Sequence, residues 1–441
     1  MKLKSFRPAY RLLFVLSVAC AFSVGQLFYP DLKWLMLSTC VILVCIFLFD
    51  LLSLWKQPII EFERIVSHTM PLGVASKVKL ALRNRSNQRF NFELVDHYPT
   101  EHEVKDFPFK VSLDPGQHIE LDYAITPQQR GDFEFKQCEL RFNSLLGFWN
   151  RYFKLGEESS VRIYPNYAEV IRYGVLAAEQ RLAQLGIMKK RQRGSGTDFL
   201  QLREFRKGDR MGSIDWKASA RMQKVISREY QAERDQQIFF MLDCGRRMRS
   251  MDGQLSHFDH SLNAMLLLTY VASRQGDAVG MMTYGTQEQR RFLPVKKSVN
   301  NVNRFLTGLY DLHPSTMEGD SAAAVQELKK VLKKRALIIV LTNMRDQQDP
   351  EMLESLKALR KSHLVVFVAL REEVFAEQEQ AEITDFKGAL TYSALSQFLR
   401  ARKKALESMQ GNQIITLDVA PSQLHTKLVN CYLEIKNSAA L

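Results

Sequence analysis

The residue types that most often carry catalysis are present, but their spacing fits no common reaction centre. The run His257-Phe258-Asp259-His260 has the wrong spacing for an HExxH zinc motif, and it is more typical of a helix start, where an acid is favoured. The chain has no GxSxG nucleophile motif and no CxxC pair. Three other histidines are too scattered to suggest a metal site, namely His97, His102 and His118. We therefore predict a protein that is not an enzyme and that has no cofactor.

The run from Asp198 to Arg221 mixes both charge signs with aromatic residues and is the most distinctive in the chain. Gly208-Asp209 marks a turn. Trp216 stands between an acid and a lysine, so that it can pack while its neighbours pair with arginines of the same run. Two interpretations remain open, a salt-bridged joint between domains and a partner-binding surface. The candidate residues are Arg203, Gly208, Asp209, Arg210, Asp215, Trp216, Lys217, Ser219 and Arg221.

The chain is basic, with 61 Lys and Arg against 48 Asp and Glu and a formal net charge of +13. A basic surface can face nucleic acid, anionic lipid, an acidic protein or water alone. The densest basic cluster, residues 189–193, precedes Gly194-Ser195-Gly196, which lacks the GxxxxGK[ST] pattern of a phosphate loop. We interpret this segment as a flexible basic loop, and we expect lipid proximity or a solvated surface rather than nucleic acid.

Apolar residues are densest before residue 56. Two runs there, Leu12–Tyr29 and Trp34–Trp55, are each close to the roughly 20 residues that span a bilayer. A tight turn at residues 30–33 separates them, and more basic residues precede the first run than lie in the turn. We therefore predict a two-helix transmembrane hairpin over residues 1–56, with the N-terminus and the main domains in the cytoplasm. A signal peptide is the rival interpretation of the first run, but no small-x-small cleavage site ends it.

The remaining chain changes its pattern twice. Residues 57–165 alternate with period two, as in Val78, Leu80 and Leu82, and this pattern predicts a β-sandwich-like domain. Residues 166–236 form a basic joint, which opens with a predicted helix at 168–188. From residue 237 to residue 441, strands alternate with helices, which predicts an α/β domain with a mainly parallel sheet covered on both faces.

Binding sites in parallel sheets form beyond the carboxyl ends of the strands. The apolar strand predicted at 238–242 ends just before Asp243, and the strand predicted at 336–341 ends just before Thr342-Asn343. We expect these residues, together with residues 315–321, to lie at one edge of the sheet and to mark its candidate site.

The run Arg203…Gly208-Asp209-Arg210…Ile214–Arg221 resembles the signature of the domain-of-unknown-function-58 family. The end of the β-rich segment and the order of the domains are similar to that family as well. The resemblance implies a bacterial inner-membrane protein, often encoded beside a MoxR-type AAA+ ATPase, with a von Willebrand factor A-like domain over residues 237–441.

A-like domains of that kind often hold Mg²⁺ through a DxSxS motif after the first strand. In Asp243-Cys244-Gly245-Arg246-Arg247 only the aspartate matches, since Gly245 has no hydroxyl and Arg247 is cationic. Asp243 is therefore the one candidate metal ligand, and pairing of Asp243 with Arg246 or Arg247 is the alternative. In the same comparison, Thr342-Asn343 stands where a Thr-Asp pair is common, and Asp320-Ser321 replaces a loop threonine.

The leading functional prediction is a membrane-anchored scaffold or adaptor. Its cytoplasmic domains are expected to bind a protein partner, a MoxR-type AAA+ ATPase, and membrane lipid is the other expected partner. The alternatives are a Mg²⁺-dependent ligand-binding A-domain protein and a basic surface that binds lipid or nucleic acid. No small-molecule substrate is indicated.

Overall fold

The computed structural model describes residues 6–25, 33–55, 58–99, 102–104, 108–178, 198–206, 209, 211–231, 236–286, 290–344, 350–380, 382–383 and 385–438. Its contacts divide the chain into two compact units, Met1–Ile163 and Tyr164–Leu441. The predicted turn at residues 30–32, the basic run 189–193 and the Gly194–Gly196 segment lie outside the described residues.

The N-terminal unit has more of its described residues in strands than in helices. Its helices are α1 (Tyr10–Gly25) and α2 (Lys33–Ser53). Its strands are β1 (Phe6–Pro8), β2 (Ile60–Ile65), β3 (Thr69–Pro71), β4 (Ser76–Asn84), β5 (Phe90–Val95), β6 (His102–Val104), β7 (Phe109–Leu113), β8 (His118–Pro127), β9 (Gly131–Phe135), β10 (Cys138–Asn143), β11 (Trp149–Leu155) and β12 (Ser159–Tyr164).

The strands of the N-terminal unit form three sheets, in the orders β1-β11-β10-β5-β7, β2-β4-β8-β6 and β3-β12-β9. The alternating pattern read from the sequence is confirmed in β4, where Val78, Leu80 and Leu82 are fully buried while their neighbours face outward. A buried ion pair fixes the core, because Arg64 and Tyr123 both bond to the carboxylate of Asp96. Such a pair is stable only when the remaining polar atoms are also satisfied.

Among the residues described here, no helix is long and apolar enough to cross a membrane. The last turn of α2, which has 21 residues, carries Asp50, and this carboxylate is fully buried against the residues that follow β10. Asp50 accepts hydrogen bonds from Ser144 Oγ at 2.6 Å and from the backbone N–H of Leu146 at 2.8 Å. The lack of a spanning helix among the described residues contradicts the predicted transmembrane hairpin and the inner-membrane localisation that was built on it.

The C-terminal unit begins with α3 and a two-stranded hairpin and continues as an α/β layer structure. Its helices are α3 (Ala168–Ala178), α4 (Trp216–Met222), α5 (His257–Arg274), α6 (Asn301–Leu309), α7 (Ser321–Val331), α8 (Pro350–Arg360), α9 (Glu373–Gln380), α10 (Phe386–Gly411) and α11 (Leu424–Asn437). Its strands are β13 (Asp198–Glu204), β14 (Ile226–Gln231), β15 (Gln237–Asp243), β16 (Met251–Asp252), β17 (Leu255–Ser256), β18 (Ala278–Tyr284), β19 (Phe292–Lys296), β20 (Leu337–Asn343), β21 (Leu364–Leu370) and β22 (Ile415–Val419).

A six-stranded sheet in the order β19-β18-β15-β20-β21-β22 forms the centre of this unit. All neighbours in it are parallel except β18 and β19, which are antiparallel. Successive residues of β15 enter two separate cores. Phe240 packs with α5, α6 and α11 on one face, while Phe239 packs with α7, α8 and α10 on the other. The continuous apolar run in the sequence is explained by this burial on both faces.

Local signals fix the helices against the sheet. Ser256 and Asp259 form a capping box at the start of α5, as the sequence indicated for the His257–His260 run. At the other end of the unit, Lys436 Nζ on α11 lies 2.7 Å from Asp277 Oδ2, and the Tyr432 hydroxyl donates to the same oxygen at 2.5 Å. This buried ion pair joins α11 to the start of β18.

The outer strand β19 contains Pro294, which has no backbone N–H to donate. Its pairing with β18 is irregular between Val279 and Met281, and a side chain at Gly280 would collide with Val295 at 2.8 Å. The guanidinium of Arg304, on α6, donates to the Pro294 carbonyl.

Candidate functional site

The signature run folds into a hairpin in which β13 pairs antiparallel with β14. In the sequence, α4 belongs to the connection between these two strands. Arg203 on β13 reaches Asp209 through two parallel hydrogen bonds, each of 2.8 Å. Asp209 also accepts from the backbone N–H of Arg206 at 2.8 Å. A bidentate pair of this kind orients both side chains. The arginine and the aspartate of the signature therefore hold the turn after β13.

Asp215 and Ser219 fix α4 onto β14. Asp215 caps the N-terminus of α4 by accepting from the Ala218 N–H at 3.0 Å, and it pairs with Arg228 at 3.0 Å. The hydrogen bond from Ala218 and the charge of Arg228 lower the pKa of Asp215 below its ordinary value. Ser219 Oγ donates to the Asp215 carbonyl at 2.7 Å and accepts from the Ile226 N–H at 2.9 Å.

Trp216 does not pack, contrary to the expectation from the sequence. Its exposed fraction is 71%, and Met211, in a single 3₁₀ turn before α4, is 82% exposed. Among the described residues Asp215 pairs with Arg228 on β14, which lies outside the signature run, while Arg210, one of the expected partners, is not described. An isolated antiparallel bridge between Ile214 and Ser227 and the hydrogen bond from the Asp215 N–H to the Ile226 carbonyl bring Arg228 close, and a sequence pattern does not reveal this pairing.

The other candidates of the signature divide into two groups. Lys217 and Arg221 are exposed on α4. Gly208 and Arg210 lie outside the described residues. The hairpin thus uses Arg203, Asp209 and Asp215 for its own contacts, and it leaves both apolar and basic side chains exposed on α4. No nucleophile paired with a base is present among the described residues of this hairpin.

The second candidate site lies at the carboxyl ends of β15 and β20, where the strand order of the sheet reverses direction. Asp243 at the end of β15 is buried, and it accepts from Thr342 Oγ1 at 2.6 Å and from the Gly245 N–H at 2.7 Å. Burial raises the pKa of Asp243 above its ordinary value, and these two donors oppose that rise only in part. Reversal points of this kind are common ligand sites in open α/β sheets.

Three loops meet around Asp243 because glycines allow close approach. A side chain at Gly245 or at Gly319 would lie 3.0 Å from Asp243 Oδ1, and one at Gly285 would lie 2.9 Å from the Gly319 Cα atom. The loop predicted to approach from residues 315–321 does so, since the Ser315 N–H donates to the Cys244 carbonyl at 2.7 Å.

Asp243 bonds to Thr342 and Gly245, and the two neighbouring arginines take other positions. Arg246 pairs with Glu318, and the charge of Arg247 acts on Asp243 by lowering its pKa. Asp320 caps α7 instead of reaching Asp243, because its carboxylate accepts from the Ala323 N–H at 2.8 Å. No group of three or more metal-ligating side chains occurs in the part of the chain that the structure describes.

A buried polar network that the sequence did not reveal adjoins this site. Asn343 Nδ2 lies 3.1 Å from both His257 Nδ1 and Glu372 Oε1, and His257 Nε2 lies 2.7 Å from Asp252 Oδ2. These residues come from four separate segments of the C-terminal unit. Their network ties β20 to the start of α5 and to the end of β21, and the enclosed His257 has no access for a substrate.

Comparisons with known proteins support the family resemblance over part of the chain. Residues 201–391 match the family described as "Protein of unknown function DUF58". The chain is 23% identical to the uncharacterized protein YeaD of Bacillus subtilis (strain 168) over 264 residues. That alignment covers 59% of this chain and 61% of the relative, so the chain spans less than two thirds of the relative's length.

Two solved structures show limited similarity. An aerotolerance-related membrane protein from Bacteroides fragilis NCTC 9343 is 15% identical with a TM-score of 0.29, over 45% of this chain and 98% of that one. The native alpha-2-macroglobulin of E. coli is 16% identical with a TM-score of 0.20, over 24% of this chain and 6% of that one.

Proposed function

We propose that this chain is an adaptor that binds a protein partner through the exposed face of α4 and its flanking residues. The observation that carries the proposal is that some residues of the signature make contacts inside the hairpin while another is exposed. Arg203, Asp209 and Asp215 make contacts inside the hairpin, while Trp216 is exposed. Packing within the hairpin does not account for that side chain, whereas a partner surface does.

The composition of this face supports docking to a protein. Aromatic side chains and methionines are enriched at protein interfaces, and Trp is the residue type most often found at their energetic centres. We define the α4 face as the exposed large apolar residues of the hairpin: Leu202, Met211, Trp216, Met222 and Val225. Lys217 and Arg221, also exposed, add positive charge beside it.

The proposed partner is a MoxR-type AAA+ ATPase. The reason is the resemblance of the signature to the domain-of-unknown-function-58 family, whose members are often encoded beside such an ATPase. A basic rim on the α4 face suits an acidic patch on the partner, since complementary charges favour encounter and orientation.

A binding measurement with Trp216→Ala tests this proposal. We expect the variant to lose about 2 kcal/mol or more of binding free energy, roughly thirtyfold in affinity, because a tryptophan at the centre of an interface commonly costs that much. The measurement is affinity capture of the ATPase by the whole tagged chain, with and without ATP and Mg²⁺, followed by titration of the purified pair.

The matched control is Phe386→Ala, which removes an exposed aromatic residue of the same unit outside the hairpin. Its affinity should stay within about twofold of the wild type. Equal affinity of wild type and Trp216→Ala would refute the α4 face as the docking surface. Failure to capture any ATPase from a lysate that contains it would refute the proposed partner.

We also propose that residues 237–441 are a von Willebrand factor A-like domain. The strand order with one antiparallel edge strand and the position of Asp243 at the reversal point support this assignment. An experimental structure with another strand order would contradict it. That the protein has no cofactor and no catalytic activity stays a prediction. The alternative of Mg²⁺ held at Asp243 stays a prediction as well.

A further inference from the structure

A cavity of about 320 Å³ lies on one face of the large sheet, beside the carboxyl end of β20. Its walls come from the end of β20, the middle of β21, the start of α8 and the second half of α10. This volume is near the lower end of the roughly 300–1,000 Å³ that is usual for small-molecule sites. The α4 face contributes no residue to it, so the cavity is independent of the proposed docking surface.

The deep part of the cavity is apolar. Met344, Met352, Phe367 and Met409 line it and are each less than 10% exposed. Methionine side chains are unbranched and polarizable, so they adapt to apolar chains of varied shape. An alkyl chain bound here would transfer its apolar surface from water to contacts with these side chains, which is favourable.

The described residues of the outer part of the cavity include two cations. Lys404 and Ser408 on α10 are exposed and line it, and Arg247 joins them from the loop after β15. No Asp or Glu occurs among the described lining residues. Arg247 also interacts electrostatically with Asp243, where its charge opposes the rise in pKa that burial causes. Lys404 is therefore the cation best placed for a ligand. A site with an apolar floor and a positive entrance fits an anion with an apolar tail.

We propose that this cavity binds a small anionic amphiphile, a monocarboxylate whose apolar chain contacts the methionine-rich wall and whose carboxylate pairs with Lys404. Neither the family match nor the relatives assign such a site. The inference does not rest on the proposed partner, because the two sites share no residue.

Calorimetric titration of the whole chain with decanoate tests the proposal. Decanol, which has the same chain length without the charge, is titrated in parallel. We expect saturable binding of one decanoate per chain and weaker binding of decanol, because only the carboxylate gains the attraction of Lys404. Binding should also raise the thermal unfolding temperature, since the ligand stabilises the folded state alone.

Three variants locate the site. Lys404→Glu should weaken decanoate binding roughly fivefold or more, because it replaces attraction by repulsion. Ser408→Trp should weaken both ligands, because an indole at this exposed position fills the entrance without changing the charge. Lys403→Glu, an equal charge change at an exposed neighbour that does not line the cavity, should change the affinity by less than about twofold.

Two outcomes would overturn the proposal. The first is no saturable decanoate binding below about 1 mM. The second is binding that persists unchanged in both Lys404→Glu and Ser408→Trp, which would place decanoate elsewhere on the surface. Equal affinity for decanol and decanoate would overturn the anionic class of the ligand.

Discussion

At the scale of single residues, the two candidate sites shift the pKa of an aspartate in opposite directions. Asp215 is near the surface, and its charge is favoured by the cap of α4 and by Arg228. Asp243 is enclosed by three loops that each bring one glycine close to the site, and its charge is disfavoured by burial. Sequence position does not distinguish these cases, because the difference comes from the surrounding loops.

The raised pKa of Asp243 makes the stability of the chain depend on pH. As pH rises above about 4, the unfolded state loses its proton from this carboxyl first. The wild type should therefore lose stability relative to Asp243→Asn until pH passes the folded-state pKa, and the difference should then stay constant. Denaturation by urea at several pH values between 4 and 8 measures this difference.

A second variant sharpens the measurement at Asp243. Thr342→Val removes one donor to the carboxylate, so it should raise the pKa of Asp243 further and extend the pH range over which stability falls. A stability difference between wild type and Asp243→Asn that is flat from pH 4 to pH 8 would show that burial does not raise this pKa.

At the scale of elements, most of the secondary structure could be predicted from local pattern. The alternation around Leu80 identified β4, and the continuous apolar runs identified β15, β20 and β21. The position of Asp243 beside Thr342 followed from the rule that parallel strands end at one edge. The network of His257, Asn343 and Glu372 could not be predicted, because it depends on the packing of loops far apart in sequence.

The N-terminal apolar runs show the limit of such patterns. Hydrophobic length alone indicated two membrane spans, whereas no described helix meets the requirement for one. In the sequence, Asp50 stands as a single acidic residue within the second apolar run. Its three hydrogen bonds to the chain between Ser144 and Phe148 are long-range contacts, about a hundred positions away in sequence, and no window-based pattern contains them.

The position of α11 depends on one buried ion pair, and this gives a prediction at the same scale. Lys436→Met should destabilise the C-terminal unit by about 3–5 kcal/mol, because Asp277 would remain buried without its cation. The exposed Lys427 on the same helix provides the control, and Lys427→Met should change stability by less than about 0.5 kcal/mol. Chemical denaturation measures both. Equal effects of the two substitutions would mean that the ion pair contributes nothing specific.

At the scale of the whole molecule, the division into two compact units predicts separate unfolding. Each unit has its own core and its own buried ion pair, Arg64 with Asp96 in one and Lys436 with Asp277 in the other. We expect two calorimetric transitions, of which Arg64→Met lowers only one and Lys436→Met lowers only the other. The loss at Arg64 should also be about 3–5 kcal/mol.

The control for the N-terminal unit is Arg83→Met, since Arg83 is exposed on β4 and its replacement leaves the buried pair intact. Neither transition should move in that variant. A single transition that Arg64→Met and Lys436→Met shift equally would contradict the independence of the units.

The outer strand β19 has a consequence for behaviour at high concentration. A parallel sheet that ends in a straight, unpaired strand is a template on which another copy can add its own strand, which leads to aggregation. Pro294 removes one donor from that border, the irregular pairing at Gly280 bends it, and Arg304 occupies the proline carbonyl. Each of these three features disfavours the addition of a strand from another copy along β19.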